Sequence, residues 1–155
     1  MFSFILVIHL IAVCCWFGGA LYERCFIVAG FRKEAGGELE APMLKLLLGS
    51  VPFFFTSVMT ILITGITMTI MGKYGFLQWS WIGLKQYIML GIIVLLASYI
   101  APRMSRLGKQ LKKNMERGEG VEDIMRAQTN RLIVYLDIMH LGVLVNLILG
   151  VTKFF

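Results

Sequence analysis

Four long apolar stretches dominate this sequence and constrain its fold more than any other feature. They run from about Phe2 to Tyr22, Leu46 to Met71, Trp79 to Ile100 and Leu132 to Lys153. Each exceeds the roughly 20 residues that a helix needs to cross the hydrocarbon core of a bilayer. Backbone groups find no water in lipid, and the alternating pattern of barrel strands is missing, so the stretches should be helices. The sequence therefore predicts one all-α domain over residues 1–155, a polytopic membrane protein with a four-transmembrane-helix bundle.

Composition excludes the soluble alternatives. Residues of the set AVILMFWYC make up 58% of the 155-residue chain, and charged residues make up only 15%. A soluble domain has about 25% charged residues, and a domain this small has too much surface to hide so much apolar area in one core. A disordered chain, a disulfide-stapled secreted module and a soluble enzyme are therefore excluded. The lipid bilayer is the expected partner of the apolar surface.

The basic residues predict how the bundle is oriented. The loop after the first span carries four lysines and arginines and the loop after the third carries eight, which is twelve of the fifteen in the chain. Cytoplasmic loops of membrane proteins are enriched in Lys and Arg, so loops one and three should be cytoplasmic and both termini outside. The N-terminal span lacks the positively charged start of a signal peptide, and we expect it to be retained.

Loop three predicts an amphipathic cytoplasmic extension of the third helix. Pro102 should bend the chain where the span ends, and a second short helix from about Val121 should lead into the fourth span. The apolar residues of the extension recur at helical spacing, as Met104, Leu107, Leu111 and Met115. The basic residues on its other faces should form a collar against anionic lipid headgroups. No nucleic-acid partner is expected, because no matching fold is present.

Ionisable residues within the spans are few, and each is a candidate functional group because a charge in the bilayer is unfavourable. They are His9, Lys85, Asp137 and His140. His9 shares one helical stripe with Ala12, Trp16, Gly19 and Glu23. The small residues of this stripe would let a helix or a flat ligand approach closely. Histidine is a standard haem ligand, so His9 is either a ligand of haem iron or a hydrogen-bonded structural residue.

Lys85 lies a few residues inside the third span, close to the depth expected for His9. A cation at this depth could hold a porphyrin propionate or another carboxylate. The alternative is snorkelling, in which the ammonium reaches up to the headgroups. The sequence leaves both interpretations open.

Asp137 and His140 are three residues apart in the fourth span and lie on nearly the same helical face. The pair suits orientation of the imidazole or a proton relay. His140 as a second axial ligand opposite His9 is disfavoured, because their depths differ by roughly 6–10 Å at about 1.5 Å of helical rise per residue. A second haem and a structural hydrogen bond are the other interpretations of His140.

Sulfur-containing residues offer weaker candidates. Met59 in the second span is a candidate thioether ligand, although packing is the commoner role of methionine. The three cysteines, Cys14, Cys15 and Cys25, form neither a C-x-x-C pair nor a zinc-ligand spacing. They are therefore interpreted as small buried residues.

Two short motifs carry a resemblance to known membrane proteins. The stretch His9-Leu-Ile-Ala-Val-Cys-Cys-Trp16-Phe-Gly18-Gly19 resembles the first span of HemJ-type proteins, and equally that of CopD-type copper-resistance proteins and their small relatives. Trp81-Ile-Gly-Leu-Lys85 resembles the Trp-x-x-x-Lys motif of the HemJ type. HemJ-type proteins are b-haem-containing protoporphyrinogen oxidases of bacterial haem synthesis. The resemblance implies that His9 ligates haem and that Lys85 is an essential positive group near the porphyrin.

The chain also departs from the HemJ pattern. Tyr22-Glu23-Arg24 stands where a Leu-Pro-Arg-like segment and a Tyr-His are usual, and Asp137 and His140 replace a Glu and a Pro in the fourth span. These departures weaken the inference of the specific oxidase activity more than they weaken the inference of haem binding.

These observations lead to one functional hypothesis. We expect a bacterial-type inner-membrane protein that binds haem b and has a redox role, with a quinone, another redox partner or a porphyrin-like substrate. His9, Trp16, Gly19, Lys85, His140 and Met59 are the candidate cofactor-binding residues, with His9 and His140 as ligands of the iron. Lys85 and Asp137 are the candidate catalytic residues. A haem-dependent oxidoreductase is one form of this hypothesis.

Two other classes of function are open. A CopD-like protein would handle copper or a small solute through His9, His140 and methionines. A structural membrane subunit would use the same polar groups only to lock helix packing. A homodimer is also expected, because four helices give little room for a haem plus a substrate and because Gly18, Gly19 and Ala20 permit close helix contact.

Overall fold

Four long helices build the protein. The structure, a computed structural model, describes residues 1–152, so Lys153 at the expected end of the fourth span lies outside the described residues. The helices are α1 (Phe2–Lys33), α2 (Glu40–Met71), α3 (Trp81–Glu116) and α4 (Asp123–Thr152), and all four are long and apolar enough to cross a membrane. Residues 1–152 contain no strand. The prediction of an all-α bundle of four membrane-spanning helices is confirmed.

Every helix is longer than its apolar stretch, and the extra turns lie at the same end of the bundle. Helix α1 continues to Lys33, and α2 begins at Glu40. Helix α3 continues to Glu116, and α4 begins at Asp123. We call this the basic end, because it carries the two basic loops. The predicted extension of the third helix is confirmed, and the short helix predicted before the fourth span is continuous with that span. The extensions of α1 and α2 were not predicted. The sequence turns polar within these extensions, yet its helical periodicity continues.

The helices pair as two hairpins. Helix α1 packs along α2, and α3 packs along α4. The hairpins meet through contacts of α1 with α4. At the basic end they also meet where the first turns of α2 contact the extension of α3. Side chains that join α1 to α4 therefore decide how the two hairpins are held together within the membrane.

Three helices contain an irregular turn where they leave the apolar region. Helix α1 has a π-helical segment at Glu23–Val28, and α3 has one at Leu96–Ile100. Helix α2 breaks at Ser50, and Pro52 follows in the first turn of its second part. Pro102 likewise lies in the first turn after the π-helical segment of α3, where a missing backbone N–H is tolerated. The irregularity expected at Pro102 therefore lies just before it.

The apolar face of the α3 extension packs against the rest of the protein. Met104, Leu107 and Leu111 are buried as part of the hydrophobic core. Met115, the fourth member of the expected apolar stripe, is 43% exposed instead. Asn114 takes the buried position, because its side-chain amide donates a hydrogen bond of 2.8 Å to Glu122 Oε1 just before α4.

A buried ion pair locks the basic end. Glu40, at the start of α2, is only 2% exposed and accepts two bonds from Arg126 of α4, of 2.6 Å from Nε and 2.9 Å from Nη2. Arg126 also pairs with Asp123. Glu40 lies outside the apolar length of α2, and the hydrogen bonds from Arg126 lower the pKa of its carboxyl below the ordinary value. The same bonds raise the pKa of Arg126.

The cysteines are not core residues. Cys14, Cys15 and Cys25 are all exposed on the surface of α1. The expectation that they are small buried residues was wrong, because the face of α1 that carries His9, Ala12 and Trp16 is the one turned toward the bundle. Cysteine is apolar enough to lie against lipid, so the bilayer explains Cys14 and Cys15 without a chemical role.

Candidate functional site

Two clusters of polar side chains stand out among the described residues of the spans. The His9 cluster comprises His9, Thr64, Lys85 and Asn146, and it lies toward the end of the bundle where the loop between α2 and α3 is found. The His140 cluster comprises Trp16, Glu23, Ser50 and His140, and it lies nearer the basic end. Each cluster joins side chains from at least three helices, so helix packing creates both.

His9 is held by a threonine of the neighbouring helix. His9 Nδ1 lies 2.8 Å from Thr64 Oγ1, and Thr64 Oγ1 donates its hydrogen to the Thr60 carbonyl at 2.5 Å. A hydroxyl has only one hydrogen, so Thr64 accepts the bond and His9 Nδ1 carries the proton. In a neutral imidazole this leaves a lone pair on Nε2. The backbone carbonyl of Ile61 is a further hydrogen-bond partner of this imidazole.

A glycine and a positive charge lie beside His9. A Cβ placed on Gly65 of α2 would lie 3.7 Å from His9 Cε1, a distance of ordinary van der Waals contact. The ammonium of Lys85 is close enough for its charge to act on the imidazole. A site shared by His9 and Lys85 stays a prediction.

Lys85 has no acidic partner in the part of the chain that the structure describes. Its Nζ lies 5.9 Å from the centre of the Trp81 ring, and a Cβ on Gly150 would come within 2.7 Å of it. Trp81 and Gly150 both lie toward the end of the bundle away from the basic loops. The ammonium therefore points toward that membrane surface, and both interpretations of Lys85 remain open.

Asn146 is a member of this cluster that sequence analysis missed. Its Nδ2 donates a bond of 3.2 Å to the backbone carbonyl of Lys85, while its Oδ1 is buried without a hydrogen-bond partner. An amide side chain within an apolar span is the sequence signal that points to Asn146. A search for ionisable side chains alone does not find it.

His140 is bonded by Trp16 across the junction of the two hairpins. Trp16 is completely buried, and its Nε1 donates a hydrogen bond of 3.1 Å to His140 Nδ1. Because indole is only a donor, Nδ1 must be the acceptor, and the proton of the neutral imidazole lies on Nε2. That Nε2 is buried and faces Glu23 Oε1 at 3.7 Å, which is beyond a direct hydrogen bond.

Glu23 is the second functional candidate that the sequence did not identify as part of a site. Its side chain is only 3% exposed, at the first residue of the π-helical segment of α1. Its Oε2 lies 2.7 Å from Ser50 Oγ, and Ser50 stands at the break in α2. The sequence does place Glu23 on the same helical stripe as His9 and Trp16. Its position at the end of the first span, however, is equally typical of a polar residue that only ends a membrane helix.

Asp137 does not pair with His140. Its carboxylate lies 3.3 Å from Arg24 Nε of α1, and both side chains are about two-fifths exposed. The predicted pairing of Asp137 with His140 was wrong. Asp137 meets Arg24 of α1, whereas His140 meets Trp16 of α1, about one helical turn farther from the basic end.

The two histidines lie at different levels. His140 contacts Trp16, which follows His9 by seven residues on α1, and seven residues correspond to about 10 Å of helix. His9 is bonded to α2, and both ring nitrogens of His140 face other side chains. The structure therefore does not bring the two imidazoles to one site.

The remaining candidates lie in packing positions. A Cβ on Gly19 would lie 2.5 Å from Phe53 Cε1, so this glycine allows α2 to approach α1. Met59 packs against the hydrophobic core. Among residues 1–152, no group of three His, Cys, Asp or Glu side chains is arranged to hold a metal ion.

Comparison with known proteins identifies a family. A family model described as "Predicted integral membrane protein (DUF2269)" matches residues 3–154. Neither a curated protein nor a solved structure matches the chain. The family match supports the coarser prediction of an integral membrane protein, and it gives no support to the resemblance to the HemJ and CopD types. Because the match covers almost the whole chain, this protein belongs to the DUF2269 family of predicted integral membrane proteins.

Proposed function

We propose that this protein binds haem b within the membrane and has a redox role, and that Nε2 of His9 would hold the haem iron. The observation that carries the proposal is the bond from His9 Nδ1 to Thr64 Oγ1, which leaves the lone pair of Nε2 free. Ligating histidines are held in this way, because a partner on one ring nitrogen fixes the tautomer and the orientation of the other. Haem bound at this position would supply one-electron chemistry.

The donor set fits a haem better than a bare metal ion. One imidazole lies at this level, and the described residues contain no group of three His, Cys, Asp or Glu side chains arranged to hold a metal ion. Lys85 supplies an ammonium without an acidic partner, which can pair with a propionate of the porphyrin.

His140 is not a ligand in this proposal. Its Nδ1 accepts the bond from Trp16, and its Nε2 carries the proton. A quinone, another redox partner or a porphyrin-like substrate, and a catalytic role of Lys85 or Asp137, stay predictions that rest on the resemblance. The homodimer also stays a prediction, and in the described chain only Gly18 of its glycine–alanine patch has open space around it.

The proposal includes an orientation in the bacterial-type inner membrane. The basic end, with loops one and three, would face the cytoplasm and both termini would lie outside. Reporter fusions at loop two and loop three test this directly. Reporters that are active outside the cell must work in loop two and fail in loop three.

The test is an absorption spectrum with two matched variants. Wild-type protein, expressed with ample haem and purified in detergent, should show a Soret band and about one haem per chain by haemochrome quantitation. His9→Ala should lose the band, whereas His140→Ala should keep it, since His140 is the other histidine of the bundle and lies about 10 Å away along the helices. A wild-type protein without haem, or a His9→Ala protein that retains it, would overturn the proposal.

Metal analysis of the same samples separates the copper alternative. Stoichiometric copper without haem would favour the CopD-like function, in which His9 and methionines bind a soft ion. Absence of both from every preparation would favour a structural subunit.

A further inference from the structure

A cavity opens between α3 and α4 at the basic end, separate from both polar clusters. Its volume is about 390 Å³. Four of its lining residues can donate hydrogen bonds from side chains, and none of the lining residues is acidic. The lining residues are Arg103, Arg106, Leu107 and Gln110 of α3 and Gln128 of α4. This composition favours an anionic ligand.

The arginines of this cavity are available for a ligand. The structure pairs Arg24, Arg126 and Lys112 with carboxylates, but within the described residues it pairs neither Arg103 nor Arg106 with one. The guanidinium carbon of Arg103 lies 4.1 Å from the centre of the Tyr99 ring. Contact of the guanidinium with the ring orients the group and leaves N–H donors for a phosphate or a carboxylate.

The cavity lies at the depth of lipid headgroups. The apolar stretch of α3 ends at Ile100, and Arg103 lies three residues beyond it. The apolar stretch of α4 begins at Leu132, and Gln128 lies four residues before it. At about 1.5 Å per residue these side chains begin about 5 Å outside the hydrocarbon core, within the headgroup layer. Tyr99 and Tyr135, with ring centres 4.1 Å apart, lie just beneath, as aromatic residues do at a membrane interface.

We propose that this cavity binds the phosphodiester group of an anionic phospholipid. Arg103 and Arg106 contact the phosphate oxygens, and the amides of Gln110 and Gln128 donate to the polar remainder of the headgroup. The acyl chains continue down the apolar surface of α3 and α4. A soluble phosphate shares this chemistry, but the depth of the cavity favours the lipid. The proposal is independent of haem binding.

The experiment compares two double variants of equal charge. Full-length protein in detergent is titrated with phosphatidylglycerol or phosphatidylcholine and examined by native mass spectrometry, which counts bound lipids. Wild type should retain phosphatidylglycerol preferentially, and Arg103→Ala with Arg106→Ala should weaken that binding about tenfold. Lys109→Ala with Lys113→Ala removes the same charge from the same helix outside the cavity, and should change binding less than about twofold.

A second, charge-conserving variant separates the loss of the guanidinium groups from misfolding of the protein. Arg103→Lys with Arg106→Lys keeps the charge but loses the planar group, and should bind phosphatidylglycerol at an intermediate strength. All variants must elute as wild type in size-exclusion chromatography. Equal loss in the two alanine variants, or no preference for phosphatidylglycerol, would overturn the proposal. Competition by millimolar glycerol phosphate as strong as that by the lipid would also overturn it, because the ligand would then be a soluble phosphate.

Discussion

Trp16 Nε1 donates a hydrogen bond of 3.1 Å to His140 Nδ1 and thereby joins α1 to α4. Few other contacts connect these two helices, so the bond holds the two hairpins together within the membrane. It also determines the tautomer of His140, whose proton is turned toward Glu23.

The bond between Trp16 and His140 should be measurable in the stability of the protein. Trp16→Phe leaves His140 Nδ1 buried without a donor, and we expect a loss of about 1–3 kcal/mol in the free energy of unfolding. Thermal unfolding in detergent of Trp16→Phe, His140→Leu and the double variant isolates the pair, with an expected coupling of about 1 kcal/mol. Strictly additive losses would show that the two side chains act independently.

Glu23 should stabilise the bundle through its acceptor oxygens. Glu23→Ala removes the partner of Ser50 and the group that faces His140 Nε2, and we expect a loss of about 2 kcal/mol. Glu23→Gln keeps an acceptor for Ser50 and should lose less. Glu119→Ala, at an exposed glutamate, is the control and should unfold as wild type does. If Glu23→Ala unfolds like this control, the buried network has no structural role.

Thr64 should strengthen the binding of haem through His9. Thr64→Val removes the acceptor of His9 Nδ1–H, and we expect haem affinity to fall about tenfold or more, as for other partners of ligating histidines. Thr60→Val is a matched control on the same helix, since the hydroxyl of Thr60 bonds only the Thr56 carbonyl. Haem titration compares the haem affinities of the two variants. Equal affinities would show that Thr64 has no role in haem binding.

Glu40 should make the basic end sensitive to acid. Its folded-state pKa is lowered by Arg126, so its stabilising contribution is complete above the ordinary carboxyl pKa of 4.5. The contribution is lost as the pH falls from that value through the lowered folded-state pKa. Glu40→Gln should lower the Tm by about 5 °C at neutral pH and flatten its decline in acid.

Glu38→Gln is the control for Glu40, because Glu38 is exposed and lies two residues earlier, in the loop before α2. It should keep the wild-type pH profile. A Glu40→Gln protein with the wild-type acid decline would assign that decline to other groups.

The fold could be predicted almost completely, and the site only in part. Apolar stretches of sufficient length predict four spans, and the stripe from His9 to Glu23 predicts which face of α1 turns inward. Sequence analysis missed Asn146 and Ser50, and it paired Asp137 with the wrong residue. It also placed the cysteines inside the bundle, because it assigned them by residue type and not by helical face.

The sequence by itself determined the number of spans, their helical nature and the concentration of basic residues at one end. These follow from hydropathy and periodicity, which are local properties of the chain. Only the tertiary structure decided that His9 meets Thr64, that His140 meets Trp16 and that Asp137 meets Arg24. Such pairs depend on the rotation and register of helices against one another. Trp16 and His140 are 124 positions apart, and no local pattern relates residues at that separation.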